Sequence, residues 1–355
     1  MTNSNESILV FEYFTASGEK DKSIISEAEA MLFALIDDLK DYALDVVLNE
    51  SYKDVIGEYE NVNPILINTD IISWLEDNAA NFKKAIFIAA ENDNNLYNIT
   101  KILEENDVFI YTSSSDACLT CSDKSLSYET IGNIVPQPRT FRMKIDPKGY
   151  WKRAIENLYD KWQAEDPLTS LKIIIKPLIG VDCENVVLIE DINDLSYDLE
   201  EIFEKGSRII VQEFIEGEDV SVSLICYEGN AVPISLNKQF VELDTNNGTY
   251  VGGKIPYESE FKDELFDIAT KACQAIEGLS GFVGVDLIVN DDDIYPAYLL
   301  EVNSRFTTPY VGLKQIANFN IAKTIVEGSI DEADISLDGE VEFRKENDDL
   351  IVRRI

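Results

Sequence analysis

The stretch Tyr295-Pro-Ala-Tyr-Leu-Leu-Glu-Val-Asn-Ser-Arg305 reads as an apolar strand that ends in a carboxylate, an amide and a guanidinium. Alternate residues of a strand face the same side, so Glu301, Asn303 and Arg305 share one face. Carboxylate and amide oxygens suit a hard cation, and a guanidinium beyond them suits an anion. Upstream, Asp286 interrupts a second apolar run, Gly281-Phe-Val-Gly-Val-Asp-Leu-Ile-Val289. Asp is depleted in strands, so its presence there calls for a reason. An Asp on one strand and a Glu/Asn pair on its neighbour form a donor set for Mg²⁺ held against phosphates.

Composition narrows the chemistry around this set. The chain has 355 residues, enough for two or three packed units. It carries 30 Lys+Arg against 67 Asp+Glu, a net charge of −37. That field disfavours sequence-independent binding to nucleic acid, so no nucleic-acid partner is expected. A phosphate ligand would have to be met by metal ions and locally placed cations. Histidine is absent, which removes Ser-His-Asp triads, His general bases and His-containing zinc sites. Five scattered cysteines point to a reducing, cytoplasmic setting, and the Cys118/Cys121 pair has no second pair at zinc-ribbon spacing. No signal-peptide pattern opens the chain, and no run approaches the roughly 20 apolar residues of a membrane span, so no membrane partner is expected.

Along the chain, Ile8–Phe14 reads as a buried opening strand, followed by a helix with Ser26 as its N-cap. Short apolar strands at 44–48, 64–67, 85–90 and 108–111 alternate with helix-compatible segments, which predicts a parallel α/β unit over residues 1–115. A second unit, 116–212, opens with a helix from Asp123 to about Gly132 and holds strands at 171–176, 186–189 and 208–214, with a helical stretch at 192–205. A third unit, 213–330, has longer strands at 219–226, 231–243, 281–289 and 295–303, and a helix over 259–277. The Gly- and Asn-rich segment Asp244–Gly253 suits a mobile flap. Residues 331–355 form a charged tail or an edge hairpin.

Two lysines stand out. Lys176-Pro177 closes a strand otherwise made of Ile, and Lys124 follows Asp123 at a helix start. Each is unremarkable alone; together they could clamp a polyphosphate. The segment Gln212-Glu-Phe-Ile-Glu-Gly-Glu-Asp219 links a strand to the next through a Gly turn. Such a hinge can offer backbone groups to an adenine edge and an acidic side chain to ribose hydroxyls.

In this order (DK, KP, QEFIEGEDVSV, GFVGVDLIV, LLEVNSR) the motifs resemble the ATP-grasp superfamily of carboxylate–amine ligases over roughly Ala117 to Ile325. The resemblance implies an ATP-grasp fold of mixed α/β and α+β character, with a Rossmann-like pre-ATP-grasp domain before two lobes that close on ATP. It implies that Lys124 and Lys176 contact ATP phosphates and that Gln212, Glu213, Phe214 and Ile215 lie along the adenine. It further implies that Asp219 meets the ribose, that Asp286, Glu301 and Asn303 ligate two Mg²⁺ or Mn²⁺, and that Arg305 stabilises an acyl phosphate and the transferring phosphoryl group. Two departures from the pattern are visible. The loop after Lys176 carries only Gly180 where several glycines are usual, and Asp219 stands where Glu is usual. The opening FEYF, the CSDKxxSYETIG stretch and LNKQFVEL…TYVGGKIPY also resemble the archaeal tyramine–L-glutamate ligase group, which serves methanofuran biosynthesis. That implies small-molecule carboxylate and amine substrates, and it is compatible with a homo-oligomer.

Overall fold

A computed structural model of the chain describes residues 7–54, 59–146, 148–167, 170–180, 185–195, 199–244, 247–290, 295–328, 330 and 335–355. Three sheets organise it. The first is parallel and five-stranded, in the order β3-β2-β1-β4-β5. It is built from β1 (Ile8–Glu12), α1 (Tyr13–Ser17), α2 (Lys22–Asp38), β2 (Leu44–Asn49), β3 (Val62–Ile67), α3 (Ile71–Asn78), β4 (Lys84–Ile88), α4 (Asn95–Glu105) and β5 (Phe109–Ile110). The opening strand ends sooner than its apolar run suggests. The Glu12 carboxylate accepts from the N–H groups of Phe14 and Thr15 and starts a helix there. Likewise α2 begins before Ser26, because Asp21 accepts from Ser23 N–H at 2.9 Å and caps it. Ser26 lies within the helix and accepts from the Leu350 N–H instead.

The second sheet is antiparallel, β6-β9-β7-β8. Two helices, α5 (Ser115–Ser122) and α6 (Lys124–Ile131), lead to β6 (Thr140–Lys144), α7 (Tyr150–Glu165), β7 (Ile173–Pro177), β8 (Val187–Ile189), α8 (Leu199–Ile202) and β9 (Arg208–Glu213). Asp123 caps α6 by accepting from Ser125 and Leu126. Helix α7 buries Trp151, Ile155 and Trp162 on one face, at the spacing of an amphipathic helix. Only α8 and a short 3₁₀ turn, Ile192–Asp194, fall within the helical stretch expected at 192–205, of which 196–198 lie outside the described residues.

The third sheet has seven antiparallel strands, β14-β13-β10-β11-β12-β15-β16. They are β10 (Glu218–Tyr227), β11 (Asn230–Asp244), β12 (Asn247–Ile255), β13 (Gly281–Val289), β14 (Ala297–Asn303), β15 (Val341–Glu346) and β16 (Asp349–Arg354), with α9 (Lys262–Gln274), α10 (Pro309–Ile316) and α11 (Ile321–Glu327). The segment expected as a mobile flap is mostly β12, paired with β11 and β15; residues 245–246 lie outside the description. Its glycines serve close approach rather than mobility. A Cβ on Gly252, whose φ is +143°, would stand 2.1 Å from the Phe343 carbonyl oxygen, and one on Gly253 would stand 2.6 Å from that of Lys238.

The first and third sheets share one core. Ile8, Val10, Leu32 and Leu35 pack in the same cluster as Ile225, Phe282, Phe306, Tyr310 and Phe343. Phe306 stacks on Phe282 at 5.3 Å and meets Tyr310 edge-on at 4.8 Å. The Tyr310 hydroxyl donates to Asp38 of α2 at 2.8 Å. Among the described residues no helix is long and apolar enough to cross a membrane. Phe306→Ala is expected to cost about 3–5 kcal/mol, the usual range for a fully buried phenylalanine, read as a lower urea midpoint. A loss under about 1 kcal/mol would contradict the shared core.

Candidate active site

The antiparallel register of β13 and β14 sets Asp286 opposite Glu301 and Gly284 opposite Asn303. A register shift follows at Asp286/Leu287, so Leu300 is the extra residue of a bulge beside the two carboxylates. Burial and then the neighbouring Glu301 charge push the Asp286 carboxyl up to about 7. The side-chain amides of Gln239 and Asn303 work against that rise, donating to its two oxygens at 2.8 and 2.9 Å. Glu301 is met by the Lys124 ammonium at 2.8 Å, which also donates to the Gly180 carbonyl at 3.0 Å. The Lys124 side chain is 9% exposed, so this cation is set deep in the cleft wall.

Such a donor set fits a divalent cation. Two carboxylates crowd together at a raised local cost, and a lysine supplies the positive charge between the lobes. Among the described residues no three Asp, Glu or Cys side chains gather as a metal group; the third oxygen here would be that of the Asn303 amide. Asn303 turns its NH₂ toward Asp286, and rotation of the amide would present its oxygen instead.

Across the cleft, Gln212 sits in the β9 ladder between Thr140 and Ile174 and donates to the Thr140 hydroxyl at 2.8 Å. Arg139 grips the Glu213 carboxylate with both arms, at 2.8 and 2.6 Å, and Glu213 N–H donates to the Arg139 carbonyl. Phe214 N–H donates to the Lys172 carbonyl. The hinge is therefore fixed by its own backbone, and the Glu213 side chain is committed to Arg139. Gly217 allows the turn to press on β13, since a Cβ there would stand 2.2 Å from the Val289 carbonyl oxygen. Burial raises the Asp219 carboxyl, with Lys238 opposing.

One cleft gathers every residue proposed from the sequence: Lys124, Lys176, Gln212, Glu213, Phe214, Ile215, Asp219, Asp286, Glu301, Asn303 and Arg305. The loop after Gly180 is outside the description over residues 181–184. The structure adds residues that the sequence did not single out. Glu91, just past β4, accepts from Arg305 Nε at 2.7 Å and is itself buried. It stands at the carboxyl edge of the parallel sheet, beside the switch point between β1 and β4 where such folds place ligands. Gln239 continues a polar alternation with Asn237 on β11, a period-two signal legible in hindsight. Glu27 of α2 also lines the cleft. Cys118 and Cys121 are buried on α5; burial pushes the Cys118 thiol up to about 12 and raises the Cys121 thiol well above the usual range, so both stay protonated and inert.

Comparison with known proteins agrees with this geometry. Residues 121–309 match the ATP-grasp domain family. The chain is 33% identical to tyramine–L-glutamate ligase of Methanocaldococcus fervens, covering 86% of this chain and 89% of that protein. It is 31% identical to tyramine–L-glutamate ligase of Methanocaldococcus jannaschii, covering 92% and 90%. Among solved structures, a protein assigned to the ATP-grasp superfamily from Archaeoglobus fulgidus superimposes with a TM-score of 0.71 at 23% identity, over 99% of both chains. The chain thus belongs to the ATP-grasp family, as an ATP-dependent carboxylate–amine ligase. Enzymes of this class use ATP and divalent metal ions.

Glu91→Gln tests the hold on Arg305. A charge-assisted hydrogen bond contributes about 1.5–3 kcal/mol, so kcat for ADP release should fall about 10- to 100-fold with the KM for ATP little changed. An unchanged kcat would show that Glu91 does not position the guanidinium.

Proposed function

We propose that this enzyme joins the γ-carboxylate of L-glutamate to the amine of tyramine, giving γ-glutamyltyramine, ADP and phosphate. The observation that carries the proposal is the extent of the similarity. It does not stop at the ATP-grasp residues 121–309 but covers 86–92% of the chain and about nine-tenths of two relatives that bear this activity in their names. The similarity therefore extends beyond the nucleotide-binding lobes into the N-terminal α/β unit.

In this scheme the hinge from Gln212 to Ile215 holds the adenine through its backbone, and Asp219 meets the ribose, directly or through water. Lys124 and Lys176 hold the phosphates. Asp286, Glu301 and Asn303 would hold two Mg²⁺ or Mn²⁺, which would supply the positive charge that screens the triphosphate. Lys124, paired with Glu301 in the structure, is then released to the nucleotide. A γ-carboxylate oxygen of glutamate attacks the terminal phosphorus and ADP leaves. Arg305, steered by Glu91, stabilises the charge on the phosphoryl group and on the acyl phosphate. The amine, once it has shed its ammonium proton to a carboxylate, attacks the acyl carbon. The C–N bond forms, the C–O bond breaks, and phosphate departs with the second amine proton. Histidine is not required, because phosphorylation supplies the leaving group and the cleft supplies position. The setting is cytoplasmic, with small molecules as the partners.

ADP release should require ATP, glutamate and tyramine together, and mass spectrometry should find γ-glutamyltyramine. ADP formed with other amino acids but not with tyramine would favour an amino-acid or dipeptide ligase. No ADP with any amine would leave only a nucleotide-binding module. Separately, Glu301→Gln should reduce turnover beyond the about 10–100-fold typical of an outer-shell partner and weaken binding of ATP with Mg²⁺ in calorimetry. Near-normal activity would remove Glu301 from the metal site.

A further inference from the structure

The strand register orders the cleft from the hinge inward. Along β13, Ile288 faces Asp219, Asp286 faces Ser221 and Gly284 faces Ser223. Thr307 covers Gly284 so closely that a Cβ there would stand 2.9 Å from its methyl group. The cleft that holds the Asp286/Glu301 pair is also lined by Glu27, Thr307, Thr308 and Pro309, and by Val241 and Tyr250, which pair with each other across β11 and β12. Glu27 carries the one charge among these six side chains. Its side chain is only 16% exposed, and its carboxylate accepts from the Thr308 hydroxyl and pairs with Lys345 of β15 at 3.0 Å.

We infer that Glu27 is the residue that selects the acceptor amine, by holding its ammonium group in the cleft, with Thr308 and Lys345 as positioning partners. The inference rests on the ligase reading above. L-Glutamate also carries an ammonium group, but its carboxylates are disfavoured beside Glu27 by like charge, whereas tyramine carries none. A primary ammonium on an aromatic body suits this lining: its charge would meet a carboxylate already oriented by two donors, and Tyr250, Val241 and Pro309 offer apolar surface for its ring. The pairing also gives the C-terminal hairpin a part in the site. Lys345 reaches Glu27 from β15, while the Leu350 N–H of β16 holds Ser26 in the preceding position of α2.

The experiment is a steady-state comparison of wild type, Glu27→Gln and Glu27→Asp, with each of ATP, glutamate and tyramine varied in turn. Glu27→Gln should raise the KM for tyramine at least about 10-fold, the effect of one charge-assisted bond, while the KM values for ATP and glutamate stay within about twofold. Glu27→Asp, which keeps the charge, should fall closer to wild type. A tyramine KM unchanged by Glu27→Gln, or a rise in the glutamate KM instead, overturns the inference. So does an equal loss of kcat in both variants with no tyramine-specific change. If Glu27→Gln does not fold, Thr308→Val supplies the second measurement: the tyramine KM rises alone, or the inference fails. A wild type that ignores tyramine overturns the substrate reading rather than the role of Glu27. That role is then tested on the same variants with whichever primary amine the wild type turns over.

Discussion

The pairing of β13 with β14 forces Asp286 and Glu301 to face one another, and the rest of the cleft answers that crowding. Burial, and after it the repulsion between two carboxylates on one rung, pushes Asp286 up to about 7. Each neighbouring element contributes a compensating group. Helix α6 sends Lys124 to Glu301, β11 sends Gln239 to Asp286, and β14 itself sends Asn303. A sheet selected only for stability would replace this pair with two apolar residues, since a buried like-charge rung contributes nothing to packing. The arrangement makes sense as a place kept for a cation, with the lysine and the amides moderating the repulsion.

How far the sequence discloses such a site depends on how local its signals are. Asp286 within GFVGVDLIV and Glu301 after YLL are legible because a charge in an apolar strand is an anomaly within a few residues. The DK at a helix start and the Gly turn after Gln212 are local in the same way, and all of these residues line one cleft. Glu91 and Glu27 are different. Their partners are Arg305 and Lys345, more than 200 positions away, and nothing in the residues around them marks the pairing. Only the closure of the first sheet against the third brings them in. The missed β6 and α7 have another cause: Thr-Phe-Arg-Met-Lys exposes its Phe141, so the strand shows no clear apolar face. In the segment expected as a flap, the glycines read locally as conformational freedom, but their packing role against β11 and β15 depends on strands far along the chain.

The same closure makes the N-terminal sheet part of the enzyme's working surface. Its helix α2 lies in a common core with Phe282, Phe306 and Tyr310, and Tyr310 and Lys314 of α10 both reach the Asp37–Asp38 pair at its end. The carboxyl edge of that sheet is thereby held rigidly over the end of β14. A loosely tethered domain could not keep Glu91 at 2.7 Å from Arg305, because the alignment of one side chain would drift with every rocking motion. The aromatic cluster of Phe282, Phe306 and Tyr310, which follows Arg305 in the chain, packs the two sheets together beside that hydrogen bond.

The charge balance of the chain then takes on a specific meaning. With 67 acidic residues against 30 basic ones, a phosphate-binding cleft is improbable unless its cations are placed individually. The structure places them, and it supplies two of them with an acidic partner: Lys124 with Glu301 and Arg305 with Glu91. An anion taken up by the proposed phosphate-binding cations would exchange with a protein carboxylate already in position, so those cations would not have to be stripped of water at that moment. This reduces the reorganisation that binding would otherwise require. It also couples the ligands, because each carboxylate relieved of its cation becomes available to another positive group. For Glu301, on the proposed metal assignment, that group would be a divalent ion, so arrival of the nucleotide phosphates and of the metal would each favour the other.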